Sequence, residues 1–364
     1  MCKRILASQT NTEEGVPFYK IGTIGNAPDA YISKELFDDY KTKYNYPHKG
    51  EVMITCAGTV GKCVIYDGKD AYYQDSNIVW IDNPSQCISN SFLYHLLAKV
   101  DWRKLNSTTI IRIYNDDLRN LKLSYPQIEE QQKISRLLSF LDERIATQNK
   151  IIDKLQSLIK GLNDTLYAQH GDEVMTSFAE LGTSYSGLSG KSAQDFGSGK
   201  PFITYLNVYS NNVINENDFQ YVAIKDGEKQ NVAEYGDVLF TLSSETPEEV
   251  GIGSVYLGKE KVYLNSFCFG IHITNAEIAF PPYLSYYVSS TPFRKFVYPY
   301  AQGSTRFNLC KAEFEKASIK LPSLESQKRI YSILKSIASK IETEKKLLGL
   351  YYTQKQYLLR QMFI

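Results

Sequence analysis

The stretch YPQIEEQQKISRLLSFLDERI (125–145) returns 196 residues later as LPSLESQKRIYSILKSIASKI (321–341). Each copy opens a long run with apolar residues spaced alternately four and three apart. In the first run these are Ile134, Leu138, Leu141, Ile145, Ile152, Leu155, Ile159, Leu162 and Leu166, and only Gln148 breaks the series. That spacing is a heptad seam held over more than four repeats, so residues 127–170 read as one long helix. Pro126 before it and Gly171 after it act as start and stop signals. At 1.5 Å per residue such a helix is roughly 60 Å long. Gly161 lies inside the pattern and costs about 1 kcal/mol against alanine, which predicts fraying near the end. The second run, 323–364, fills the same slots with Ile330, Leu334, Ile337, Ile341, Leu348, Tyr351, Leu358 and Met362. Glu344 falls where Gln148 falls, and Lys355 is a second exception.

A seam of that length needs an equally long partner, and the other copy is the nearest. Antiparallel packing is expected, because a globule must lie between the end of one helix and the start of the next. Gln148 and Glu344 then either meet as a buried polar pair that fixes register or sit solvated at the seam edge.

The repeat extends outward from the helices. PFYKIGTIG (17–25) is matched by PFITYLNVY (201–209), and KGEVMIT (49–55) by YGDVLFT (235–241). The fold expected is α/β (α+β): a first globule over 1–126, the central helix over 127–170, a second globule over 171–322 and the distal helix over 323–364. EVMITCAG (51–58), KCVIYD (62–67) and NIVWID (77–82) read as strands, and SFLYHLLAKV (91–100) as a helix. DVLFTLSS, GSVYLGKEKVYL, CFGIHIT and YLSYYVSS follow the same plan in the second globule. Two similar heads on paired stems suit the reading of two places on one long ligand, the stems acting as a ruler.

Composition bounds the partners. The 364 residues are 43% hydrophobic and 22% charged, which suits globular domains with sizeable cores. No stretch of 18 apolar residues and no signal-peptide pattern occurs, so no membrane span and a cytoplasmic location are expected. Formal net charge is only +1, which argues against gripping nucleic acid through bulk charge but leaves local patches open. The 28 tyrosines and 17 phenylalanines favour strands. Six scattered cysteines form no CxxC, and four histidines form no HxH or HExxH, so neither a metal site nor a disulfide framework is expected.

Catalytic motifs fail on inspection. FPPY (280–283) puts Phe280 where an amino-methyltransferase needs Asp or Asn. GIGSVY (251–256) lacks the third glycine and helix of a dinucleotide site, and GxxxxGK[ST] and GxSxG are absent. No catalytic residue is assigned. Candidate ligand contacts come instead from a hydroxyl-and-basic stretch that recurs in both globules, NSTTIIRIYNDDL (106–118) and QGSTRFNLCKAEF (302–314), aligning Arg112 with Arg306. Such groups bind phosphates or base edges; the plainer alternative is a turn whose arginine makes a structural ion pair. The candidates are Gln9, Thr59, Lys62, Thr108, Arg112 and Tyr114 in the first globule, and Lys191, Ser243, Ser304, Thr305, Arg306 and Asn308 in the second. The candidates for the helix seam and partner docking are Ile134, Leu138, Leu141, Ile145, Gln148, Ile152, Leu155, Ile330, Leu334, Ile337, Ile341, Glu344 and Leu348.

The duplicated tails, with the PFYKIG and KGEVMIT blocks and their second copies, resemble the specificity subunits of type I restriction-modification systems across essentially the whole chain. The resemblance implies a non-enzymatic subunit whose two target-recognition domains each read half of a split, asymmetric site in double-stranded DNA. It implies that the paired helices set the spacer and dock two modification subunits, which carry S-adenosylmethionine and methylate adenine. Restriction subunits using ATP and magnesium join that core. No cofactor is expected in this chain. Two departures stand out. Ser326-Gln327 replaces the family's Glu-Gln, and only 16 residues precede PFYKIG whereas the second globule has the longer lead-in FAELGTSYSGLSGKSAQDFGSGK (178–200), so the first domain looks shortened. The alternative is a two-headed protein-interaction scaffold on a coiled-coil rod.

Overall fold

The computed structural model describes residues 1–362 except 75–76, 103, 105–111 and 171–172. Two compact units emerge, and both long helices contribute to each: residues 1–149 with 346–364, and residues 150–345. The helices span Ile128–His170 and Leu324–Met362.

In the first unit, Val52–Thr55 is the middle of an antiparallel sheet between Cys63–Ile65 and Ile78–Ile81. A second small sheet runs Tyr31–Ile32, Val16–Tyr19, Tyr72–Tyr73, its last pair parallel. The aromatic load is packed here: Phe18, Phe37, Tyr66, Tyr72 and Tyr73 are buried in one cluster. Helix Asn90–Lys99 starts at Ser89, whose hydroxyl accepts from the Phe92 amide. It buries Leu93 and Leu97 against Val52 and Ile54.

The second unit repeats this frame in its central strands. Val238–Thr241 lies between Gly253–Val255 and Cys268–Ile273. Val52 opposes Ile65 and Ile81, and Val238 opposes Val255 and Ile271. Phe18 runs parallel to Tyr72, as Phe202 does to Tyr263. One expected strand divides: GSVYLGKEKVYL forms Gly253–Val255 in one sheet and Val262–Leu264 in another, because the intervening Gly-Lys turn redirects the chain. The lead-in becomes helix Phe178–Leu181 and a fourth strand, Gly182–Ser186, on the outer edge of Cys268–Ile273. The largest core joins Phe178, Phe240, Phe269, Phe293 and Phe314 to Ile330 and Leu334 of the distal helix.

Within each unit the start of one long helix packs beside the end of the other. Ile134 and Leu138 pack with Leu358, Leu359 and Met362 in the first unit, and Ile330 and Leu334 join the cluster of Ile159, Leu162 and Leu166 in the second. The helices are therefore antiparallel in both, as the heptads require. Lys355, the charged exception in the seam, pairs with Asp142. The corresponding positions of the second unit hold Ile159 and Ala338. Gln148 and Glu344 are both buried, which overturns the solvated-edge alternative, and Glu344 is ion-paired with Lys340.

Both helices are pinned at their start by a glutamine. The Gln131 amide donates to the Cys87 and Pro126 carbonyls, each at 2.9 Å, and accepts from the Ser89 amide at 2.8 Å. Gln327 does the same with Ile278 at 2.7 Å, Pro322 at 2.9 Å and the Phe280 amide at 2.8 Å. Both side chains are fully buried, and each satisfies backbone groups that would otherwise be stranded at a helix entry.

Candidate nucleic-acid interface

The clearest polar projection is in the second unit. Ala301–Gln302 and Phe307–Leu309 form a hairpin whose tip is Gly303-Ser304-Thr305-Arg306. Gly303 has φ +144°, and a Cβ there would lie 2.1 Å from the Arg306 carbonyl oxygen, so the tip requires glycine. Gln302 through Arg306 are all exposed. Among the described residues, the Ser304, Thr305 and Arg306 side chains engage no hydrogen bond or ion pair. The Arg306 guanidinium instead lies 5.9 Å from the centroid of the Phe267 ring, which is 55% exposed. The Phe267 amide is held by Asn265 at 2.9 Å. A two-stranded ribbon of this kind fits the major groove of B-DNA, where an arginine pairs with guanine O6 and N7.

Other candidates in this unit are placed differently. Asn308 is exposed beside the tip and opposes Ser243, which is buried, its carbonyl accepting from Tyr205 at 2.9 Å. Lys191 is 5% exposed, with its ammonium held by Glu228 and the Ala223 carbonyl, both at 2.6 Å. That ammonium and the Lys225 amide hold the Glu228 carboxyl down at about 2. Lys191 and Ser243 therefore tie loops together and present no free group outward. A sequence alone does not reveal that a loop lysine already has its counter-charge.

In the first unit Arg112 is half-buried, 6.0 Å from the centroid of Tyr114, and Tyr114 is 59% exposed. The Tyr114 amide donates to Asp117 at 2.7 Å, opening helix Asn115–Arg119. Thr108 lies outside the described residues. Thr59 is exposed, its carbonyl accepting from Thr55. Lys62 is half-buried and donates to the Ile24 carbonyl, and Gln9 accepts from the Leu6 amide at 2.9 Å. Each unit thus sets an arginine beside an exposed aromatic ring, Arg306 itself exposed and Arg112 half-buried, whereas Lys62 and Gln9 have internal tasks.

The seam candidates also divide. Ile134, Leu138, Leu141, Ile145, Gln148, Ile152, Ile330, Leu334, Ile341 and Glu344 are buried; Leu155, Ile337 and Leu348 are half-buried. A buried seam side chain has no surface left for another protein. Among the described residues, the large apolar side chains still exposed on these helices are Ile128, Leu137, Phe140, Leu350, Tyr352 and Tyr357 in the first unit, and Ile151, Leu158 and Ile333 in the second. Sequence reasoning missed these, and it missed Phe267 and the two glutamine pins. The pins did leave a signal, since Gln131 and Gln327 stand at the offset of the repeated tail. Among the described residues, no group of three or more His, Cys, Asp or Glu could hold a metal ion, and no helix is long and apolar enough to cross a membrane.

Residues 1–157 and 187–349 each match the type I restriction modification DNA specificity domain. A putative type I restriction enzyme specificity subunit of Haemophilus influenzae is 48% identical over 160 residues, 44% of this chain and 41% of that protein's length. A putative specificity subunit of Methanocaldococcus jannaschii is 24% identical across 94% of this chain and 85% of that one. The crystal structure of a type I restriction-modification S subunit from M. genitalium superposes with a TM-score of 0.55 at 16% identity, covering 100% of this chain and 92% of that one, which establishes likeness of fold. With the same domain matched twice on a duplicated frame, the chain belongs to the specificity-subunit family of type I restriction-modification systems.

Proposed function

We propose that this chain is the non-catalytic DNA reader of a methyltransferase complex, each unit recognising one half of a split site in duplex DNA. The observation that carries this reading is the hairpin tip Gly303–Arg306, whose hydroxyls and guanidinium are exposed and uncommitted beside Phe267. Ser304, Thr305, Arg306 and Asn308 are its contact set in the second unit, and Arg112 and Tyr114 in the first. Duplication of the specificity domain supports a site in two parts. The unbroken helices Ile128–His170 and Leu324–Met362 support a fixed spacer between them. Modification subunits, which bring the S-adenosylmethionine, dock on the exposed apolar positions Leu137, Phe140, Ile151 and Leu158. Restriction subunits with ATP and magnesium complete the complex. A net charge of +1 fits a reader that relies on partners to clasp the DNA backbone.

The test is to assemble the chain with its modification subunits and measure adenine methylation and DNA affinity. Arg306→Ala is expected to lower affinity for the cognate site about 10- to 100-fold, as for loss of one bidentate base contact, with assembly intact. Equal binding to all sequences, or unchanged affinity in an assembled Arg306→Ala complex, overturns the reading and leaves a protein-interaction scaffold.

A further inference from the structure

The two units differ in the loop that follows the central strand. In both, the hydroxyl of the strand's last threonine accepts from a backbone amide on the far side of this loop: Thr55 from Lys62 and Thr241 from Ile252, each at 3.0 Å. The span between donor and acceptor is 7 residues in the first unit and 11 in the second. The longer loop carries Ser243–Ser244 and the acidic turn Glu245-Thr246-Pro247-Glu248-Glu249. It lies beside the exposed hairpin. The Leu242 amide donates to the Phe267 carbonyl at 2.9 Å, the Leu309 amide donates to the Leu242 carbonyl at 2.8 Å, and Ser244 opposes Phe307. The next residues outward from that last pair are Glu245 on the loop and Arg306 on the hairpin.

The acidic turn is anchored. The Arg294 guanidinium donates to the carbonyls of Glu248, Val250 and Gly251, each at 2.7 Å. The Glu249 carboxylate accepts from the Tyr209 hydroxyl at 2.7 Å and the Ser244 hydroxyl at 2.9 Å. Glu245 is exposed, and among the described residues its carboxylate engages no hydrogen bond or ion pair, Arg306 included. A fixed turn thus presents a free carboxylate next to a guanidinium that is itself uncommitted. Phosphates repel a carboxylate at a DNA groove, so one placed there needs a hydrogen-bond donor in compensation. The base-edge donors of the major groove are the N4 amino group of cytosine and the N6 amino group of adenine, whereas thymine and guanine offer acceptors. Glutamate suits the cytosine amino group, as arginine suits guanine. We propose that Glu245 is a specificity-determining residue of the second unit, accepting from the N4 amino group of a cytosine in the half-site that Arg306 enters. This rests on the DNA reading above and adds one base to it. Glu245 selects by repelling any acceptor edge at that position and adds no affinity for DNA in general.

The test uses the full chain with its modification subunits. Methylated adenines are mapped across the genome of cells carrying the parent chain, Glu245→Ala or Glu248→Ala. Glu245→Ala is expected to make one C·G position of one half-site degenerate and to leave the other half-site unchanged. Glu248→Ala removes an exposed carboxylate of the same turn and is expected to keep the parent motif. The purified complexes are then given duplexes in which each cytosine of that half-site is replaced in turn by 2-pyrimidinone, which lacks only the 4-amino group. At one position the parent complex is expected to lose about 10-fold or more in affinity, and Glu245→Ala to bind both duplexes alike. Glu245→Ala is also expected to bind unrelated duplex more tightly than the parent, because one anion fewer faces the phosphates. The inference fails if Glu245→Ala keeps the parent motif, if Glu248→Ala changes it instead, or if the degenerate position is not C·G. It also fails if the parent complex tolerates 2-pyrimidinone at every cytosine of that half-site. A parent complex that methylates without sequence preference would sink the DNA reading itself, an outcome told apart by the lack of any motif for the variants to alter.

Discussion

The first and second units share a frame and fill it differently. Strand register, the parallel pair at Phe18 and Phe202, and the glutamine pins coincide. The contents do not: Asp142 and Lys355 stand where the other unit has Ala338 and Ile159, and Trp80 stands where it has Gly270 under Tyr185. Measured from the residues whose amides meet the glutamine pins, Ser89 and Phe280, His95 corresponds to Tyr286. Backbone hydrogen bonds fix the frame because each unmade bond in a buried sheet or helix entry costs free energy. Side-chain volume and polarity drift as long as the space stays filled.

Removing a pin should have the largest effect, and it should be symmetric. Gln131→Ala and Gln327→Ala each strand three backbone groups, and each is expected to cost about 2–4 kcal/mol. Amide exchange should show the loss in the mutated unit alone; a loss shared equally by both units would mean that the units do not unfold separately.

Acid should separate the units next. His95 is buried, its Nδ1 meets no hydrogen-bond partner among the described residues, and burial pushes its imidazole down to about 4. Between its unfolded value of 6.5 and that value, the unfolded chain takes up a proton that the folded chain does not. Stability of the first unit should therefore fall as pH drops through this window, by up to about 3 kcal/mol. Tyr286 does not titrate there, so the second unit should not share this loss. Unfolding of His95→Phe across pH 4–7 checks the cause: a slope equal to that of the parent chain would exonerate His95.

The smallest effect concerns the seam. Asp142 and Lys355 are partly exposed, so Asp142→Ala alone should cost about 1 kcal/mol, while Asp142→Ala with Lys355→Ile, copying the second unit, should recover most of it. Denaturant midpoints of the single and double variants measure this, and a double variant weaker than the single would show the pair to be essential to register.

Much of the frame was legible in the sequence. The heptads placed both helices within two residues of their observed ends and implied the antiparallel packing, because a seam of period 3.5 must face an equal partner. The contact site was less legible. Ser304, Thr305, Arg306 and Asn308 proved exposed, yet Lys191 and Lys62, chosen for charge, are held by Glu228 and by backbone carbonyls. Residue type reports hydrogen-bonding capacity, whereas availability depends on neighbours distant in the chain.

Periodicity and repetition are local properties, so the sequence by itself determined the duplicated frame, the long helices and the family. The tertiary structure alone decided which polar groups are already satisfied, where Phe267 meets Arg306, and that the lead-in of the second unit adds a fourth strand to its sheet. Those outcomes depend on distances between residues far apart in the chain, and no local pattern encodes them.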